Sequence, residues 1–337
     1  MFKKIMLTAA LAVAVTGQVL FAADMTKLVP EDTDFLLQIN VSKILALPEV
    51  QKQIDEEFAK QPEQKKTYED LKAKSGFDPL KDLSNVVLFS SGKVTEGNEA
   101  LGGALIEGKF DVEKIVKVIK EDENAAKDVE LSVVDGFNCI TPKNSKDGYG
   151  MFLDNQYVVV GSQAGVDAVK AVKMGKAKTI ETNKDFLAII NKIDANATIS
   201  GAGILPQAFK DKCAQNPNAA ALANINTFFF DFNNDKNLVF NLNAEVDKKE
   251  NVNNVMTQVN GYLAMIKMFA NQAGPEIAEA ANMLTATNNE TTIKLSLDIP
   301  AEKVAEIKAK IQERAKQMQE QQKGGAGAGP DVNAPRE

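Results

Sequence analysis

Two stretches of this chain carry hydrophobic periodicities in the same order, and that repetition limits the available folds more than any other feature. In the first, Phe35, Leu37 and Ile39 alternate through a strand over Asp34 to Asn40. A helix runs from Ser42, breaks near Pro48 and continues to about Lys74. Strands follow at Val86 to Ser90 and Leu101 to Glu107. Asp111 then caps a helix whose Val112, Ile115, Val116 and Ile119 share one face. Further strands at Val129 to Val134, Phe137 to Thr141, Gly150 to Leu153 and Tyr157 to Val160 lead to a helix striped by Val166, Val169 and Val172. The second stretch opens with a strand at Ala197 to Ile204, helices over Pro206 to Ala223, and strands at Ile225 to Phe232 and Asn237 to Val246. Its long helix aligns Val252, Val255, Met256, Val259, Leu263, Ile266 and Phe269. A helix over Pro275 to Leu284, a strand over Thr291 to Ile299 and a helix begun by Pro300 complete it, the last striped by Val304, Ile307, Ile311 and Met318.

Hairpins joined to amphipathic helices imply antiparallel sheet with helices packed on one face, an α+β fold of two related modules. The modules form either one sheet each or one continuous sheet. Asparagine marks the seam: it occurs 7 times in residues 31 to 182 and 20 times in residues 183 to 289. The expected domains are therefore module 1 over 24–182 and module 2 over 183–320. Residues 321–337, rich in Gly, Ala and Pro, are expected to be a disordered tail.

Residues 1–23 read as a signal for export. Lys3 and Lys4 precede an apolar run from Ile5 to Val15, and a small-residue exit at Ala22 and Ala23 places cleavage after one or the other. Nothing later reaches the length of a membrane span, so no stable membrane insertion is expected after cleavage. Losing two lysines leaves the chain still more acidic than the −7 of the full sequence, which makes nucleic acid a poor partner. In an oxidising compartment Cys139 and Cys213 either pair or remain two buried thiols.

Composition also removes chemistry. The chain has no histidine and no tryptophan, and its arginines are Arg314 and Arg336. That excludes imidazole-based nucleophile activation, imidazole metal ligands and, over most of the chain, bidentate guanidinium forks.

Leu28-Val29-Pro30-Glu31-Asp32-Thr33-Asp34, Gly76-Phe77-Asp78-Pro79 and Gly108-Lys109-Phe110-Asp111 together make the first segment similar to exported bacterial proteins of unknown function. Those share a P-x-D-T opening strand, a G-x-D-P turn and a G-x-F-D helix entry. The resemblance implies a bacterial envelope location and a non-enzymatic default, and it supplies no catalytic residues.

Candidate constellations read as structural. Asp231, Asn233, Asp235 and Asn237 alternate as a calcium loop begins, but Lys236 and Leu242 stand where that loop needs glycine and glutamate, so a polar hairpin is expected. Gly161-Ser162-Gln163-Ala164-Gly165 lacks a dinucleotide or P-loop signature and reads as a helix cap. Glu56-Glu57 and Asp122-Glu123 read as solvated helix faces. Met256, Met265, Met268 and Met283 fit core filling, or else the lining of an apolar pocket. No catalytic, cofactor-binding or metal residue is assigned, and no cofactor. The expectation is an exported, periplasmic or secreted, non-enzymatic protein with a structural, scaffolding or interaction role. A carrier of a small apolar ligand, held between helix and sheet of module 2, is the alternative. A carboxylate-, Ser- or Lys-based enzyme ranks third.

Overall fold

The computed structural model describes residues 23–94, 100–143, 148–194 and 196–325. The expected signal, with Ala22 at its end, lies outside them, and Ala23 is the first described residue. The first half comprises α1 (Ala23–Thr26), β1 (Phe35–Asn40), α2 (Val41–Ala46), α3 (Pro48–Lys60), α4 (Pro62–Ser75), α5 (Pro79–Asp82), β2 (Leu83–Val94), β3 (Ala100–Gly108), α6 (Val112–Glu121), α7 (Glu123–Asp128), β4 (Val129–Val134), β5 (Phe137–Pro142), β6 (Tyr149–Phe152), β7 (Tyr157–Gly161), α8 (Gln163–Lys173) and α9 (Lys184–Ile190). The second comprises β8 (Ile199–Ile204), α10 (Gln207–Ala214), β9 (Ile225–Asn233), β10 (Leu238–Val246), α11 (Val252–Ala273), α12 (Pro275–Asn282), β11 (Thr285–Asn289), β12 (Thr292–Ile299) and α13 (Ala301–Gly325).

The fold is α+β, and its strands form one antiparallel sheet of 12 strands in the order β11-β12-β10-β9-β8-β1-β2-β3-β7-β6-β5-β4. Strands β1 and β8 join the halves. Reading outward from that join gives β1-β2-β3-β7-β6 on one side and β8-β9-β10-β12-β11 on the other. The two halves of the sheet correspond strand for strand once β11, which the sequence repeat did not include, is set opposite β6, with the β4–β5 hairpin extra in the first half. That hairpin turns on Asp135-Gly136 at φ 52° and 88°, the positive angles a two-residue turn requires.

The motifs behind the resemblance are turn and cap devices. Gly76, at φ 71°, closes α4, and the Asp78 carboxylate caps α5 by accepting from the Leu80 amide. Tyr68 donates to Asp78 at 2.6 Å and Lys72 pairs with it at 2.7 Å. Burial raises the Asp78 carboxyl, yet Lys72, Tyr68 and the Leu80 amide together hold it below the usual carboxylate range. Gly108 has no room for a side chain, since a Cβ would lie 2.8 Å from the Asp82 carbonyl, and Asp111 caps α6 through the Lys114 amide.

Helices cover both faces of the sheet, a correction to the expected single face. On one face Leu36, Val87, Phe89, Leu105, Met151 and Val159 lie under Val166 and Val169 of α8 and Phe186, Ile189 and Ile190 of α9. On the other, Ile39, Val86, Ile106 and Val158 pack against Val41 of α2 and Val112, Ile115 and Val116 of α6. The strands of the first half are apolar on both faces, so each face needs cover. Other expectations shift at their edges. The helix expected from Ser42 to Lys74 breaks a second time at Gln61-Pro62. Strand β11, poor in apolar residues, was not expected. Helix α13 extends to Gly325, past the expected start of the tail at 321, through the good helix formers Gln321, Gln322 and Lys323. The remaining residues of the expected tail lie outside the described ones. Cys139 and Cys213 are separate buried thiols.

Helix α8 sits close to the sheet because Gly161 and Gly165 face the Gly102 carbonyl, where any Cβ would collide with backbone. We therefore expect Gly165→Ala to cost about 1–3 kcal/mol of stability. A urea midpoint unchanged from wild type would refute this account of the packing.

Candidate functional site: an apolar helix tip beside an open groove

The two faces of the second half differ sharply. On the face that carries α8 and α9 in the first half, register aligns Asp231, Asn241 and Ser296 across β9, β10 and β12, with Asn243 and Lys294 beside them. On the opposite face the row Leu37, Gly201, Phe230, Leu242 and Leu295 is apolar. Gly201 and Gly203 let the Phe230 and Phe228 rings lie over β8, since a Cβ there would come within 2.5 and 2.6 Å of them. Phe35 stacks at 6.2 Å from Phe228, and Phe240 at 6.3 Å from Phe230. These rings form an aromatic floor that is only half-buried.

Helix α11 packs on that same face at one end. Val252, Val255, Met256 and Val259 meet Val246, Ile293 and Ile225. Leu263 and Ala270 are also buried. Beyond Leu263 the helix outruns its cover: Met265, Ile266, Met268 and Phe269 are 48%, 46%, 49% and 58% exposed, and Ile277 on α12 is 41% exposed. The stripe read from sequence placed Ile266 and Phe269 in the core, which is corrected here. At 1.5 Å per residue a helix of 22 residues spans about 33 Å, and its apolar partners on the sheet meet Val252 to Val259 in its first half. Periodicity reports which residues share a face and says nothing of how far the neighbouring sheet extends.

Along the middle of α11, reaching the tip at Met265, runs an open groove of about 830 Å³, walled by Gly261, Tyr262 and Met265 of α11 and by Pro217, Asn218 and Ala221 opposite. Tyr262 donates its hydroxyl to the Asn218 carbonyl at 2.6 Å, and Gln258 bonds the same carbonyl, which ties the two walls together. At Gly261 nothing lies within 4 Å of where a Cβ would stand. The exposed tip is also nearly uncharged. Lys267 is the one ionisable side chain besides Tyr262 in all of α11, within a chain that is 25% charged.

The other sequence candidates take structural places. Asn234 to Asn237 form the β9–β10 turn, Asp231 lies within β9, and Asp235 pairs with Lys43 at 2.8 Å. Among the described residues no three acidic or sulfur side chains converge as metal ligands would. Ser162 caps α8 by accepting from the Gly165 amide at 3.0 Å, and the Gly102 carbonyl occupies the space before it. Glu56 and Glu57 are exposed, Glu57 pairing with Lys60. Of the methionines, Met256 packs in the core, Met283 is half-buried, and Met265 and Met268 are at the surface; they do not line one pocket together. Among the described residues no helix is long and apolar enough to cross a membrane.

No family model matches the chain, and no curated protein matches it. Among solved structures, crystal form IV of TP0453 is similar over 84% of this chain and 95% of that one, at 7% identity and a TM-score of 0.44. A likeness of that size carries no argument about the site.

One carboxylate of the polar face is displaced from its ordinary range. Burial pushes Asp231 up, with Asp194 acting in the same direction, against the Asn241 amide and Lys294. A carboxyl raised by folding binds its proton more tightly in the native state, so its ionisation costs stability as pH rises from the unfolded value of about 3.9 through the folded one. Asp231→Asn, which keeps the acceptor for Asn241, should therefore gain stability relative to wild type as pH rises from 4 to 7. Parallel urea titrations at the two pH values check it, and a difference independent of pH would contradict it.

Proposed function

We propose that this chain is an exported, non-enzymatic protein of the bacterial cell envelope that works by binding a protein surface, in a structural or scaffolding role. The observation that supports this reading is the uncharged apolar tip of α11, where four large side chains stand about half exposed. Scattered single apolar residues are ordinary on a surface, whereas a contiguous apolar cluster of this size is often functional. The chain as a whole is acidic, with 46 Asp and Glu against 39 Lys and Arg, which disfavours nucleic acid as the partner. Export rests on the Lys3-Lys4 and Ile5 to Val15 pattern of the sequence. A photo-crosslinking amino acid at position 269, irradiated in intact cells, should give a discrete heavier adduct that the same group at Lys52 on exposed α3 does not. Absence of any adduct from position 269 would sink the reading.

A second reading rests on a separate observation. The half-buried floor of Phe228, Phe230, Phe240 and Leu242 offers a small apolar ligand one wall of a binding site between sheet and helices. A fluorescent naphthylamine probe should bind there, and Phe230→Ala should weaken it about tenfold, equivalent to ~1.4 kcal/mol, while Phe269→Ser leaves it unchanged. Equal binding by wild type and Phe230→Ala would remove this reading.

A further inference from the structure

The contact site has a shape as well as an apolar character, and the shape points to its occupant. We infer that the groove beside Gly261 receives the Met268–Phe269 tip of α11 from a second copy of this chain, the two helices pairing antiparallel about Met265. The inference rests on the interaction reading above and names the partner of that site.

Gly261, Met265 and Phe269 recur at every fourth position, so they share one face of the helix. In an antiparallel pair centred on Met265, position 269 of one copy meets position 261 of the other, and the same contact is made twice. A large ring then stands opposite a residue with open space where its side chain would be. This is the self-complementarity a two-fold interface demands: protrusion and hollow carried on the same element, equally spaced from the centre. The groove supplies the room for it, since Gly261, Tyr262 and Met265 form one wall of its 830 Å³.

Charge and area agree with that assignment. Each copy carries a net charge of −7 over the full sequence and a more negative one without its leader, so two copies repel over most of their surfaces. Close approach costs least along α11, whose single charge is Lys267 and which carries no acid. A heterologous partner chosen by complementary charge would instead call for a basic or acidic rim on this helix. Four or five large apolar side chains about half exposed present on the order of 400–500 Å² per copy. That is at least half of the ~800 Å² a standard interface takes from each partner, and the groove walls add to it.

Sedimentation equilibrium of the full chain lacking its leader, from about 1 to 100 µM, tests the pairing. The wild type is expected to reach twice the chain mass within this range. Phe269→Asp, which puts a carboxylate on the tip, should abolish association. Gly261→Leu fills the hollow from the other side. It meets nothing within 4 Å in the single chain, and should raise helix stability by up to ~1 kcal/mol because glycine is the poorer helix former. It should therefore raise Tm while weakening association at least about tenfold. That pair of shifts in opposite directions cannot come from misfolding. A wild type that stays single at the highest concentration overturns the inference, as does a dimer indifferent to Gly261→Leu. A crosslink from position 269 to a different protein, with the wild type single in solution, would discard self-pairing and leave the interaction reading standing.

Discussion

The antiparallel pairing of β1 with β8 decides the rest of the architecture. Five residue pairs, from Phe35 opposite Gly203 to Ile39 opposite Ile199, join segments some 160 positions apart. The ladder extends at both ends, through the Ile204 amide to the Asp34 carbonyl and the Asn40 amide to the Thr198 carbonyl, each at 2.8 Å. Without this pairing each half would expose a long edge strand, with Leu36 and Ala202 at the core of neither. With it, one loop closure serves the whole molecule, and every other strand finds its neighbour within its own half. The join is narrow by composition. Gly201 and Gly203 weaken β8 as a strand, and the Phe228 and Phe230 rings laid over them restore the packing those glycines omit.

Features set by local chemistry could be read from the residues. The Asp135-Gly136 turn, the Asp78 and Asp111 caps and the stripe of Val112, Ile115, Val116 and Ile119 each follow from neighbours a few positions away, so sequence spacing contains them. Features set by the extent of a distant neighbour could not. Nothing in the sequence around Phe269 differs from the pattern around Val255, yet Val255 is buried against Val246 and Ile293 while Phe269 is exposed. Strand β11 was hidden for a related reason: Thr285-Ala286-Thr287-Asn288-Asn289 lies at an edge and buries little, so it carries no alternation of apolar and polar residues. The exposed tip could have been suspected from a different signal, charge. Helices α3 and α4, which are largely exposed, carry Lys or Glu at most turns, whereas α11 carries one lysine in 22 residues. A helix so poor in charge is built to be covered along its whole length.

The repeat itself explains why that cover is missing. In the first half the helix that follows β7, α8, returns over the sheet and buries Val166 and Val169 against strands that are apolar on that face. Its counterpart α13 follows β12 in the same order. The sheet face it would need to cover presents Asn241, Asn243, Lys294 and Ser296, and these cannot repay the burial of Val304 and Ile307. The close approach that Gly102, Gly161 and Gly165 permit to α8 has no glycine counterpart at Asp298, Ile299 and Pro300. Helix α13 instead packs against α12, where Lys303 pairs with Glu279 and Arg314 with Glu276, and reaches α3 through Lys308 and Glu49. In that position it holds the base of α12 and passes the end of α11, with Arg314 donating to the Ala273 carbonyl. The outer side of α11, from Gly261 to Phe269, is then left without any element of its own half to close over it. A polar substitution of one sheet face thus propagates, through the rerouting of one helix, into an open apolar surface on the opposite side of the molecule.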